Sequence, residues 1–182
     1  MYIRCKYNRK TKNMTVNTDE YAKFYQSYID KVDTEKTIVK NLQETFQEAM
    51  AIFKVLPEDK YLYKYAEKKW TIVQLLEHII DAERIFSYRA LRFARNDKTD
   101  LPGFEENSYV ENAYSNSRDY QELLEEFVLV RKASEIMFSN FSDEVLKRTG
   151  SIDGNKISVR AIGYVNAGHL RHHLAIIKER YL

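Results

Sequence analysis

Four histidines occur in the chain, and three of them crowd into the stretch GHLRHH, Gly168–His173. The fourth, His78, stands far upstream in LLEHIIDAER. On a helix, at about 100° per residue, His169 and His173 lie roughly 40° apart, one turn above the other. Ile162, Val165, Ile176 and Ile177 occupy the same sector, so both imidazoles stand in an apolar stripe rather than on the wet face. His172 falls about 60° to the side of His169 and about 100° from His173, toward the edge of that stripe.

Two imidazoles side by side in an apolar wall need partners, because burying an unpaired polar group costs kilocalories. One solution is that each hydrogen bonds to a neighbouring helix and merely packs. The other is a divalent metal, which takes both neutral nitrogens and removes the repulsion two protonated rings would feel. His78, at the border of its own stripe, is the candidate third ligand from a facing helix. Three neutral nitrogens leave at least one position of a zinc-like ion open to water or substrate, the pattern of catalytic sites.

Other polar residues qualify as a supporting cast. Glu83 falls on the apolar side of its helix, between the directions of Leu76 and Ile79. There it could orient a ligand imidazole or act as a catalytic base, or it could form an interhelical salt bridge, which is the simpler reading. Glu77 and Asp81 lie off the stripe and are expected in solvent. Arg89 shares His78's face about three turns on, placed to meet an anionic substrate group or to make a surface ion pair. Tyr164 and Asn166 are further lining candidates.

The elements that must position these residues are helices. Only five Gly and two Pro occur, which favours long helices over a many-turned β architecture. A first helical region spans Asp19 to Leu56, with KVDTEKT the place for any break, and places Ile38, Leu42, Thr45, Phe46, Ala49, Ile52 and Phe53 at helical spacing. Pro57 ends it. A second helix opens at Thr71, where Thr71 and Gln74 form a capping box, and runs to about Arg95. A connection of about twenty residues follows, long for a bundle, and its Phe104–Tyr114 part could shape a pocket mouth or a dimer surface. The third helix runs from about Ser117 to Phe141. RTGSIDGNKIS reads as a turn-rich link, and Ser158 caps a fourth helix running to Arg180. The expected fold class is all-α, a four-helix bundle formed by a single domain over residues 19–182.

Composition excludes several classes. Basic and acidic residues number 29 and 27, a balance that gives no field for a nucleic-acid partner. A single cysteine, Cys5, rules out an internal disulfide framework and suits a reducing cytoplasm. No apolar run approaches the roughly 20 residues of a membrane span. The basic start MYIRCKYNRKTKNM lacks the apolar block of a signal peptide, and residues 1–18 are expected as an extension without fixed structure, Met14 being an alternative start.

The Lys69–Trp70 pair before the capped helix, LLEHIIDAERIFSYRALRFARND, LPGF and the terminal GHLRHHLAIIKERYL together resemble the DinB/YfiT-like superfamily of metalloenzymes, over about Tyr21 to Leu182. The resemblance implies a four-helix bundle, often dimeric, with a divalent metal such as nickel or zinc held by three histidines. Carried over by position, these are His78, His169 and His173, with no ligand role for His172. The family includes thiol S-transferases that use low-molecular-weight thiols such as bacillithiol or mycothiol, and a maleylpyruvate isomerase. The expectation is therefore a cytoplasmic, homodimeric, metal-dependent transferase that activates a small thiol. A metal-dependent hydrolase and a non-catalytic bundle braced by its metal stand as alternatives.

Overall fold

The structure, a computed structural model, describes residues 15–182. Four long helices form the bundle: α2 (Ile38–Phe53), α3 (Ile72–Ala94), α5 (Tyr120–Ser139) and α7 (Val159–Arg180). Shorter pieces are α1 (Gln26–Ile29), α4 (Glu106–Asn112) and α6 (Asp143–Leu146). Of the segment expected to lack structure, residues 1–14 lie outside the described residues, while Val16 is buried and Asn17 opens a 3-10 turn over Thr18–Glu20.

Local chemistry sets the helix starts. The Thr71 backbone N–H donates to Gln74 Oε1 at 2.9 Å and the Gln74 N–H donates to Thr71 Oγ1 at 3.1 Å, the reciprocal box read from sequence. Ser158 accepts from the Ala161 N–H at 3.0 Å and Asp119 from those of Gln121 and Glu122. The first helical region is not continuous. Two 3-10 turns and α1 precede a break, and α2 starts afresh with Thr37 accepting from the Lys40 N–H at 3.1 Å. Asn41 holds the break closed, its Nδ2 donating to Asp33 O at 2.8 Å while its Oδ1 accepts from the Asp33 N–H at 3.2 Å.

The segment RTGSIDGNKIS, read as a turn-rich link, carries most of a small sheet that is minor beside the four-helix bundle. Strands β2 (Thr149–Ile152) and β3 (Asn155–Ser158) pair antiparallel, and β1 (Asp100–Leu101), from the long connection, runs parallel to β2. Asp153 and Gly154 both take positive φ, 48° and 74°, as the two-residue turn of a tight hairpin requires. The Asp-Gly pair between alternating residues is the local signal for it; the parallel partner β1 is remote in sequence and has no such signal.

Around the bundle, α3 packs on α7 and α5, and α2 packs on the same two helices. Helices α2 and α3, consecutive in sequence, therefore sit across a diagonal. Trp70 meets Tyr181 while His78 meets His169, so α3 and α7 run antiparallel. Ile38 lies by Gly163 and Glu48 by Arg171, so α2 and α7 run parallel. Two apolar clusters fill the interior. One holds Leu42, Phe86, Phe93, Phe138 and Val165; the other holds Ala49, Phe53, Leu76, Phe127 and Leu174. Between them, Thr45, Glu83, Arg131, Asn166, His169 and His173 form a buried polar layer across the middle of the bundle. No helix among the described residues is long and apolar enough to cross a membrane.

Candidate metal centre

The facing surfaces of α3 and α7 bring the three predicted histidines together. His78 Nε2 lies 3.2 Å from His169 Nε2, and His173 Nε2 lies 3.0 Å from the same atom. All three are buried, and no carboxylate or thiol of the described residues joins the cluster. Nitrogens ligating one ion at about 2.0–2.1 Å stand roughly 3–3.4 Å apart, so the observed spacing suits a shared cation.

Hydrogen bonding alone serves this arrangement poorly. A neutral imidazole Nε2 either donates one proton or offers one lone pair, and His169 Nε2 faces two like atoms at once. A cation uses all three lone pairs. Burial, with help from the charge of neighbouring His172, pushes His78 down to about 4. The same burial, reinforced by the other histidines, holds His169 and His173 well below the ordinary imidazole range. Near pH 7 all three are neutral, the state in which imidazole ligates. The outer nitrogens, Nδ1 of His78 and of His173, find no hydrogen-bond partner among the described residues.

Aromatic rings surround the trio. Trp70 sits 4.8 Å from the His78 ring, Phe86 lies 5.5 Å from His169, and Tyr28 lies 5.6 Å from His169. Tyr28 reaches this position because residue 168 is glycine; a Cβ there would stand 2.0 Å from Tyr28 O. The Tyr181 hydroxyl donates to Trp70 O at 2.6 Å and pins the end of α7 to the start of α3. His172 stays outside the trio, its ring against Tyr28 and His173. Neither Tyr28 nor Phe86 was distinguishable in sequence from ordinary core aromatics.

The supporting residues fall in different places. Glu83 Oε2 accepts from Arg131 Nη2 at 2.8 Å and from Arg131 Nε at 3.1 Å, while Glu83 Oε1 is enclosed without a partner among the described residues. Arg131 also donates to Leu42 O and Thr45 Oγ1. Glu77, expected in solvent, is buried beneath the long connection and accepts from Arg118 Nη1 at 3.0 Å. Arg89, expected in a surface pair or on an anion, is buried and donates to Pro102 O at 2.7 Å. Tyr164 points away and donates to Lys36 O at 3.0 Å, whereas Asn166 is buried with its Nδ2 unpartnered among the described residues. A separate cleft of about 320 Å³ at the start of α3 is lined by Tyr61, Val73, Asn116, Arg118 and Tyr120, and none of the three imidazoles faces it.

The fold has a counterpart among solved structures. YfiT from Bacillus subtilis, described as a probable metal-dependent hydrolase with an unusual four-helix bundle topology, superposes with a TM-score of 0.68 at 18% identity, over 78% of this chain and 82% of that one. Comparison with curated proteins finds no matching relative. The sequence model of the DinB superfamily matches residues 41–177, a span that includes all three converging histidines. More than half of its length fits that model, and the chain belongs to the DinB superfamily.

Proposed function

We propose that the protein is a divalent-metal-dependent enzyme that activates a low-molecular-weight thiol for transfer to an electrophilic small molecule. The observation that carries this reading is the convergence of three buried, neutral Nε2 atoms with no fourth ligand from the described residues. His78, His169 and His173 would hold the ion, zinc or nickel, and leave a coordination position for a substrate group. When bound, such a cation supplies Lewis acidity, which lowers the pKa of a thiol or of water toward neutrality.

The chain's own residues prepare the site. Burial keeps the imidazoles unprotonated, so no proton has to leave before ligation. Trp70, Phe86 and Tyr28 limit bulk water, which strengthens electrostatic interactions inside. Glu83 takes the interhelical salt-bridge role, its Oε2 held by two Arg131 donors, and makes no hydrogen bond to the three imidazoles. Thiol chemistry fits a centre whose cluster includes no carboxylate of the described residues, because lowering a thiol pKa at a cation requires no separate base. The description of YfiT favours a second reading, hydrolysis by activated water.

Equilibrium dialysis of metal-stripped protein against zinc, and separately nickel, tests the core of the proposal. One ion per wild-type chain and none in His169→Ala is expected; a wild type that takes up neither metal overturns it. With metal restored, a panel of small thiols and electrophiles should show metal-dependent thiol consumption. Ester cleavage at equal rates with and without thiol would assign the centre to hydrolysis instead.

A further inference from the structure

Among the described residues, three arginines have side chains buried as deeply as the core, and two are matched by carboxylates. Arg131 pairs with Glu83, and Arg160 pairs with Glu20. Arg89 is 4% exposed yet has no carboxylate within ion-pair distance among those residues. Its one hydrogen bond there runs from Nη2 to Pro102 O, a neutral acceptor, and the Phe104 ring lies 5.7 Å from the guanidinium carbon. Residues 1–14 contain neither Asp nor Glu, so that segment has no side-chain carboxylate to offer. Asp153 is near enough for its charge to favour the protonated guanidinium, but its side chain is in solvent, where screening is strong. Removing a charge from water costs several kilocalories unless a counter-charge accompanies it.

Arg89 also stands on the same side of α3 as His78. On α3 it falls about 20° from His78 in helical projection, roughly 16 Å further along the axis. Phe86, one turn before Arg89, packs its ring edge-on to His169 with centroids 5.5 Å apart. The segment facing this stretch carries Tyr28 against His169 and, one turn earlier, Tyr25, whose phenol bears on Arg89. Tyr25 is buried, and its hydroxyl makes no hydrogen bond to a described residue. The packed aromatic cluster of Tyr25, Tyr28 and Phe86 therefore adjoins both the three neutral imidazoles and a buried guanidinium that has no carboxylate within ion-pair distance among the described residues.

We propose that Arg89, assisted by the Tyr25 hydroxyl, anchors an oxyanion subsite for a carboxylate or phosphate group on the small molecule that enters the three-histidine centre. The guanidinium presents a planar fork of donors that suits either group, and the phenol supplies one more. The ligand class is then an anionic small molecule with its charged group several bonds from the reacting atom. The subsite itself depends only on Arg89 and its surroundings; its link to catalysis rests on the function proposed above.

The test titrates succinate and inorganic phosphate separately into the full-length protein, both with zinc present and after metal removal. Calorimetry reads affinity, and the ¹⁵N NMR signal of the Arg89 Nε–H, assigned by its loss in Arg89→Lys, reads location. Saturable binding of one anion is expected in both metal states, with the Arg89 signal shifting and affinity falling at least tenfold in Arg89→Gln. Succinate binding identifies a carboxylate subsite, and phosphate binding a phosphate subsite. Absence of saturable binding, an unmoved Arg89 signal, or binding that requires zinc each overturns the proposal. If Arg89→Gln does not fold, the wild-type NMR shift decides the matter alone. Failure to bind metal would sink the proposed enzyme while leaving this result intact.

Discussion

Two buried polar groups share the middle of α3, five residues apart, and they are satisfied in opposite ways. Glu83 meets Arg131, with opposite charges, fork geometry and further acceptors on α2 at Leu42 and Thr45. His78 meets His169 and, through it, His173, three identical groups whose lone pairs converge. The first cluster is nearly complete among the described residues, while the second leaves three like nitrogens for the cation proposed above. A polar layer costs folding energy in either case, so the contrast separates polarity that specifies the bundle's register from polarity kept ready for a ligand.

Breaking the charge-paired cluster should give the largest effect. Arg131→Met leaves the Glu83 carboxylate buried and unpaired and is expected to destabilise by about 3–5 kcal/mol in urea denaturation. The double variant Glu83→Leu with Arg131→Met should recover most of that loss. If it recovers nothing, the pair is more than a matched charge couple.

Protons should discriminate the incomplete cluster. The unfolded chain binds a proton on His78 near 6.5, whereas the folded, metal-free protein resists until about 4. Between those values the unfolded state holds more protons, so stability rises with pH through the window and falls on acidification. Lowering pH from 6.5 to 4 should cost metal-free protein about 3 kcal/mol through His78 alone, with His169 and His173 acting in the same direction. Denaturation midpoints across that range, compared with those of His78→Gln, measure it; identical slopes would show that burial of His78 is not what the acid attacks.

The smallest expected effect lies at the start of the helix that carries both clusters. Thr71→Ala removes the cap acceptor for the Gln74 N–H and should cost about 1 kcal/mol. Because Thr71 Oγ1 also donates to Asn116 Oδ1 at 2.7 Å, Thr71→Ser should restore most of the stability. A loss well above the cap value that serine does not restore would point to packing of the Thr71 methyl group.

Several parts of this molecule were legible because they depend on near neighbours in sequence. Helical periodicity put His169 and His173 on one face and left His172 aside. The Thr71–Gln74 box and the Ser158 cap marked helix starts, and Glu83 among apolar neighbours signalled an interhelical partner. These follow from bond geometry and from hydrogen bonds spanning three or four residues. What lay beyond reach was set across the chain. Helical projection could not show that His78 faces α7, because that depends on which helices become neighbours; the family resemblance supplied the expectation, and the antiparallel packing of α3 on α7 supplies the contact. Arg131 as the partner of Glu83, Tyr28 against His169, and burial of Glu77 beneath the long connection likewise arise where distant segments meet. Arg89 shows the division most plainly: the sequence set its angle on α3, but only tertiary burial made its missing counter-charge matter, because an exposed guanidinium is neutralised by water and ions while a buried one needs a partner.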